Sequence, residues 1–162
     1  MSLDGKRRLV ELLRAQIAEE MATLVAAAKA SQEAATHEEA RPENDKDTRA
    51  LEQSYLARGQ AARVEELQEV ATRLKFLALP AYAQDDRIGP AALVEVEVDD
   101  EEATFFLVPV GGGRKVRLGD REITVVTTSS PVGRALLGKE VGDEFVLKIG
   151  PRRRRYTVLS VG

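Results

Sequence analysis

The residues best suited to chemistry lie in one acidic run. Between Glu33 and Glu52 stand seven carboxylates (Glu33, Glu38, Glu39, Glu43, Asp45, Asp47 and Glu52) against three bases, Arg41, Lys46 and Arg49. Carboxylate oxygens are natural ligands of Mg²⁺, which needs only one or two of them. The run offers no dedicated cage, so an ion held there would be shared with a partner. The alternative is a solvated turn whose acids cap the helix that follows. His37 stands beside Glu38 and Glu39, but a single histidine supports neither a multi-histidine metal site nor an obvious Ser-His-Asp triad. A second charged run, Arg152 to Arg155, follows Pro151 between two strand-like segments. It reads either as a polyanion contact or as a hairpin turn whose charge discourages edge pairing. Gly111–Gly113 lacks the GxGxxG context and the following helix that a phosphate cradle needs.

Composition removes several other classes. With no cysteine, the chain has no disulfides, no thiolate catalysis and no cysteine-ligated zinc or iron–sulfur centre. Aromatic residues make up 4% and tryptophan is absent, which argues against an aromatic-lined pocket or a base-stacking surface. The net charge of −3 gives the whole molecule no pull towards nucleic acid. The apolar residues near the N-terminus are interrupted by Glu11, Arg14, Gln16, Glu19 and Glu20, so they read neither as a signal peptide nor as a membrane span. A soluble, cytoplasmic protein is expected.

Two periods divide the 162 residues. To about Leu79 the apolar positions follow a helix: Val10, Leu13, Ile17, Leu24 and Ala28 form one stripe, widened by Leu9, Met21 and Val25. A second run uses Leu51, Tyr55, Val64, Leu67, Ala71, Leu74 and Leu77, the last five at coiled-coil spacing. Between them, residues 31–49 contain no large apolar side chain, and Pro42 breaks any continuous helix. The pattern predicts an antiparallel coiled-coil hairpin over 1–79 with its acidic tip near 38–48. Arms of about 30 residues would reach ~45 Å at 1.5 Å per residue. Pro80, Gly89 and Pro90 mark a linker over 80–90.

From residue 91 the period becomes two, with strands at 93–98, 103–110, 114–118, 123–128, 145–149 and 156–161 and a turn at Asp99–Glu102. Between the fourth and fifth strands lies one short helix. Ser130 suits its cap, Pro131 its first position and Gly138 its end. The expected fold class is α+β: a helical hairpin followed by an antiparallel sheet over 91–162 that carries one helix.

That short helix also carries a resemblance. SPVGRALLGKEVGDEF (130–145) closely resembles the C-terminal signature of the bacterial Gre transcript-cleavage factors, of the form SP-hydrophobic-GRALLGK-x-x-GD, and it follows a long helical hairpin as it does there. The resemblance implies an FKBP-like C-terminal domain that docks at the rim of the secondary channel of bacterial RNA polymerase, through Ser130, Pro131, Gly133, Arg134 and Gly138. It also implies a coiled coil whose acidic tip helps the polymerase hold a second Mg²⁺. The polymerase would then cleave backtracked RNA near its 3′ end and escape arrest; the factor itself is no enzyme, and it acts as a monomer.

The family tip has an Asp followed three residues later by Glu-Asn, in a run like GDLSENAEY, whereas this chain reads EEARPENDKDTR. Aligning Glu43-Asn44 on the Glu-Asn leaves Ala40 where the Asp belongs, with Glu39 beside it. Aligning on Arg63–Leu67 instead puts Glu43 at the Asp and Lys46 at the Glu. Glu43 is acidic in both registers, so the metal-sharing residues are expected to be Glu43, then Asp45 and Asp47, with Glu39 in reserve. A non-cleaving regulator of the same channel is the alternative that this departure keeps open. Two readings of other classes stand beside it. One is a prolyl isomerase, for which Phe105, Phe106, Phe145 and Tyr156 scarcely furnish an aromatic pocket. The other is a coiled-coil adaptor, which would dimerise through 9–77.

Overall fold

The computed structural model describes residues 2–36 and 56–162. Helix α1 runs Leu3–Thr36 and helix α2 runs Arg58–Lys75. Six strands follow, β1 (Leu93–Val98), β2 (Glu101–Val108), β3 (Lys115–Leu118), β4 (Arg121–Thr127), β5 (Glu144–Ile149) and β6 (Arg152–Val161), with helix α3 (Pro131–Leu136) between β4 and β5. The chain divides into two compact units, Arg14–Thr72 and Met1–Leu13 with Arg73–Gly162. Among the described residues no helix is long and apolar enough to cross a membrane.

In the first of these units the two helices pack antiparallel. The guanidinium of Arg14 donates to the Ala71 carbonyl at 3.2 Å, and that of Arg63 meets the Glu20 carboxylate at 3.0 Å, so numbers rise along α1 as they fall along α2. Ile17, Ala28 and Leu67, all from the apolar stripes, are buried. Burying such side chains, at about 1.5–3 kcal/mol for a leucine or isoleucine, holds long helices whose other faces are polar.

The other unit is a six-stranded sheet in the order β3-β4-β2-β1-β6-β5. The expected antiparallel pairing holds for four neighbours, but β2 and β4 run parallel, with Phe106 opposite Val125. The reason lies in residues 109–114. This short connection steps over one strand position to start β3, and β4 folds back into the vacant slot beside β2. A Cβ on Gly112 would come within 2.9 Å of the Thr127 backbone nitrogen, so the step passes too close to β4 for a side chain. The turn before β2 is also tighter than expected. Only Asp99 and Asp100 form it, at φ 50° and 71°, the geometry of a two-residue hairpin.

One sheet face and α3 enclose a core of Ile88, Ala92, Val94, Val96, Leu107, Leu136, Tyr156, Val158 and Val161. The linker-like segment is tied into this unit. The Ile88 amide donates to the Lys139 carbonyl, the Gly138 amide to the Ile88 carbonyl, and the Val161 amide to the Gln84 side chain. Lys6 is 1% exposed; its ammonium donates to the Pro80 carbonyl at 2.9 Å and lies 4.9 Å from the Tyr82 ring centre.

Candidate functional site

The site expected from the signature run is built around the last residue of β4. The Thr127 carbonyl accepts from both the Ser130 amide (3.1 Å) and the Ser130 hydroxyl (2.7 Å). Turned this way, Ser130 Oγ accepts from the Gly133 amide at 3.1 Å and caps α3, satisfying one of the donors that a helix start leaves orphaned. Pro131 occupies the first turn, where its missing N–H costs nothing. Gly133 is buried against β4: a Cβ there would stand 1.9 Å from the Thr127 carbonyl oxygen. Gly138 has φ 81° and sends its amide to Ile88, which turns the chain out of the helix.

Ser130, Pro131, Gly133 and Gly138 are therefore brought together, and each has a demonstrable part in shaping α3. Arg134 differs. Its side chain is exposed and forms no ion pair with a described residue, so its charge is presented to solvent on a helix fixed from beneath. Nearby, Lys139 lies 5.8 Å from the Phe145 ring centre, and Glu140 pairs with Arg87 at 3.1 Å. Such a surface can recognise a partner through charge and shape.

The aromatic residues named in the sequence are packed away. Phe106 is fully buried, and Phe145 and Tyr156 stack with ring centres 5.0 Å apart. Burial pushes the Tyr156 hydroxyl above its ordinary pKa of 10.0, while Arg154 pulls the other way.

The tip carboxylates Glu39, Glu43, Asp45 and Asp47 lie outside the described residues. Among the described residues no three His, Asp or Glu side chains gather as a metal site would require. Sequence reasoning missed Thr127 and Ile88, the two residues that hold α3 by its ends. Ile88 was the one branched aliphatic in the 80–90 segment, which is a signal that the segment is packed.

The family model described as "Transcription elongation factor, GreA/GreB, C-term" matches residues 83–162. The chain is 30% identical to transcription elongation factor GreA of Mesorhizobium japonicum over 99% of this chain and 95% of that protein. It is 28% identical to GreA of Thermodesulfovibrio yellowstonii over 99% and 94%. Among solved structures, the GreA factor homolog 1 (Gfh1) protein of Thermus thermophilus is 21% identical, covering 97% of this chain and 92% of that one, with a TM-score of 0.38. The chain belongs to the GreA/GreB family of transcription elongation factors.

Proposed function

We propose that this protein enters the secondary channel of bacterial RNA polymerase as a monomer and stimulates the polymerase's own cleavage of backtracked RNA near its 3′ end, so that arrested complexes resume. The observation that carries this reading is α3, a signature helix locked from beneath by Thr127 and Ile88 and offering Arg134 outward. In this reading α3 docks at the channel rim. The carboxylates of Glu43, Asp45 and Asp47, with Glu39, share a Mg²⁺ with the polymerase. Their all-oxygen donor set suits that ion, and a metal so held supplies charge stabilisation for phosphodiester hydrolysis. The factor contributes position and ligands; the polymerase does the chemistry.

The departure of EEARPENDKDTR from the family tip favours one second reading, a regulator that occupies the channel without promoting cleavage. A purified, deliberately backtracked polymerase complex separates them. Faster RNA cleavage on adding the protein, strongest at low Mg²⁺, supports the first reading. Its loss in the Glu43→Lys/Asp45→Lys/Asp47→Lys variant, with polymerase binding retained, ties the effect to the tip. Unchanged cleavage together with displacement of another secondary-channel factor establishes the second.

A further inference from the structure

The four arginines at 152–155 are not in a turn. They form the first part of β6 and pair with β5, Ile149 opposite Arg152, Lys148 opposite Arg153, Leu147 opposite Arg154 and Val146 opposite Arg155. Strand β1 pairs with β6 only as far as Val98 opposite Tyr156, and β5 is the sheet's edge. Beyond Tyr156 the sheet therefore continues as a two-stranded ribbon alone. Four paired residues at ~3.3 Å each give it a reach of roughly 13 Å.

Between Phe145 and Tyr156 the ribbon holds five cations, Lys148 and Arg152 to Arg155, and no carboxylate. All five are exposed, and none forms an ion pair with a described residue, whereas Arg63, Arg87, Lys115 and Arg121 each meet a glutamate. Acids meet the ribbon at its root. The Arg155 amide donates to the Asp99 carboxylate at 3.0 Å, and Glu97, Asp99 and Asp100 line a shallow hollow with Arg155. These contacts anchor the root and leave Lys148, Arg152, Arg153 and Arg154 without an acidic neighbour in that hollow. At physiological salt the screening length is about 8 Å, so a carboxylate offsets the ribbon's charge only from within about that distance.

We infer that the outer β5–β6 ribbon binds the phosphate backbone of a nucleic-acid duplex without regard to base sequence. Opposed residues of an antiparallel pair share a face. Lys148, Arg153 and Arg155 therefore lie on one face, and Arg152 and Arg154 on the other. Cations on both faces suit a ligand that presents phosphates on two sides. A major groove about 12 Å wide admits a two-stranded ribbon and has a phosphate backbone along each wall. A single strand is bound chiefly by stacking its bases on aromatic rings. Here Phe145 and Tyr156 stack on each other, and Tyr156 is buried. A protein partner would be met by a central apolar or aromatic anchor with charge at the rim. The ribbon's exposed large apolar side chains are Val146 and Ile149, outnumbered by its cations. The inference does not depend on how the protein acts on the polymerase.

The test is binding of the full-length chain to a short fluorescent DNA duplex of mixed sequence between about 50 and 200 mM salt. With two to four phosphates neutralised, the slope of log affinity against log salt should lie between about −2 and −4. The Arg152→Gln/Arg153→Gln/Arg154→Gln variant, with its fold verified by thermal unfolding, should lose at least about tenfold in affinity and flatten the slope towards −1. Lys148→Gln, a single exposed change, should flatten the slope by about one and keeps the test open if the triple variant unfolds. Affinity of either variant within twofold of the parent overturns the proposal. So does equal or tighter binding of the corresponding single strand. Equal binding of labelled polyglutamate also overturns it, because that result would point to an acidic protein surface instead.

Discussion

Gly133 and Thr127 are in contact so close that no side chain fits between them: a Cβ on Gly133 would stand 1.9 Å from the Thr127 carbonyl oxygen. That oxygen also accepts both the amide and the hydroxyl of Ser130, so it cannot turn away without uncapping α3. Gly133→Ala should therefore destabilise the protein by about 3 kcal/mol, the range of overpacking with a forced backbone shift. Ser130→Ala should cost about 1 kcal/mol, as caps do. Denaturant unfolding measures both. A Gly133→Ala protein as stable as the parent would show that α3 is free to lift off β4.

Arg134 gives the opposite expectation. It is exposed, and no described carboxylate holds it, so Arg134→Ala should change stability by no more than about 0.5 kcal/mol. Its affinity for RNA polymerase should nevertheless fall if α3 is the docking element, and competition against the parent protein on purified polymerase reads this directly. A variant that loses stability while binding normally would make Arg134 a structural residue.

The buried Lys6 predicts a pH dependence. Desolvation lowers its pKa below the ordinary 10.5. Between that lowered value and 10.5 the unfolded chain binds a proton that the folded one has released. Stability from this group therefore rises with pH across that window, and below it the penalty is fully present. Tyr82 and Tyr156, whose pKa values are raised by burial, act in the reverse sense as pH climbs past 10. The difference in unfolding free energy between the parent and Lys6→Met isolates the lysine. The parent should gain relative to the variant as pH rises through the alkaline range, and a flat difference would mean that Lys6 titrates normally.

Within the helical unit the ion pairs and the apolar seam should separate cleanly. Arg63 reaches Glu20 on α1 and Glu66 on its own helix, but all three are substantially exposed. Arg63→Ala should cost no more than about 1 kcal/mol, and 1 M salt should erase most of that. Ile17→Ala, at a fully buried position, should cost about 2–5 kcal/mol at any salt concentration. Unfolding of the two variants in low and high salt checks the contrast.

Much of the fold was legible because its signals are local. Val10, Leu13, Ile17, Leu67 and Leu74 fall at helical spacing in the sequence, and they are buried as that spacing requires. Ser130-Pro131 reads as a helix start from two residue types alone, and in the structure Ser130 is the cap. The candidate site was legible to the same depth. The signature run located α3, but whether its residues face a partner or their own fold depended on Thr127 and Ile88, which are far from obvious in the chain. Arg152 to Arg155 were misplaced by one element, since four arginines after Gly150-Pro151 look like a turn until their pairing with β5 is seen.

By itself, then, the sequence determined the helical stripes, the strand alternation and the cap of α3, because each rests on residues within one or two turns of one another. Only the tertiary structure decided the parallel pairing of β2 with β4, the burial of Lys6 under Pro80 and Tyr82, and the need for glycine at 133. Each of these is a contact between segments distant in the chain or separated by a turn. Its energy comes from excluded volume and desolvation at that meeting, and neither exists until the sheet has closed around it.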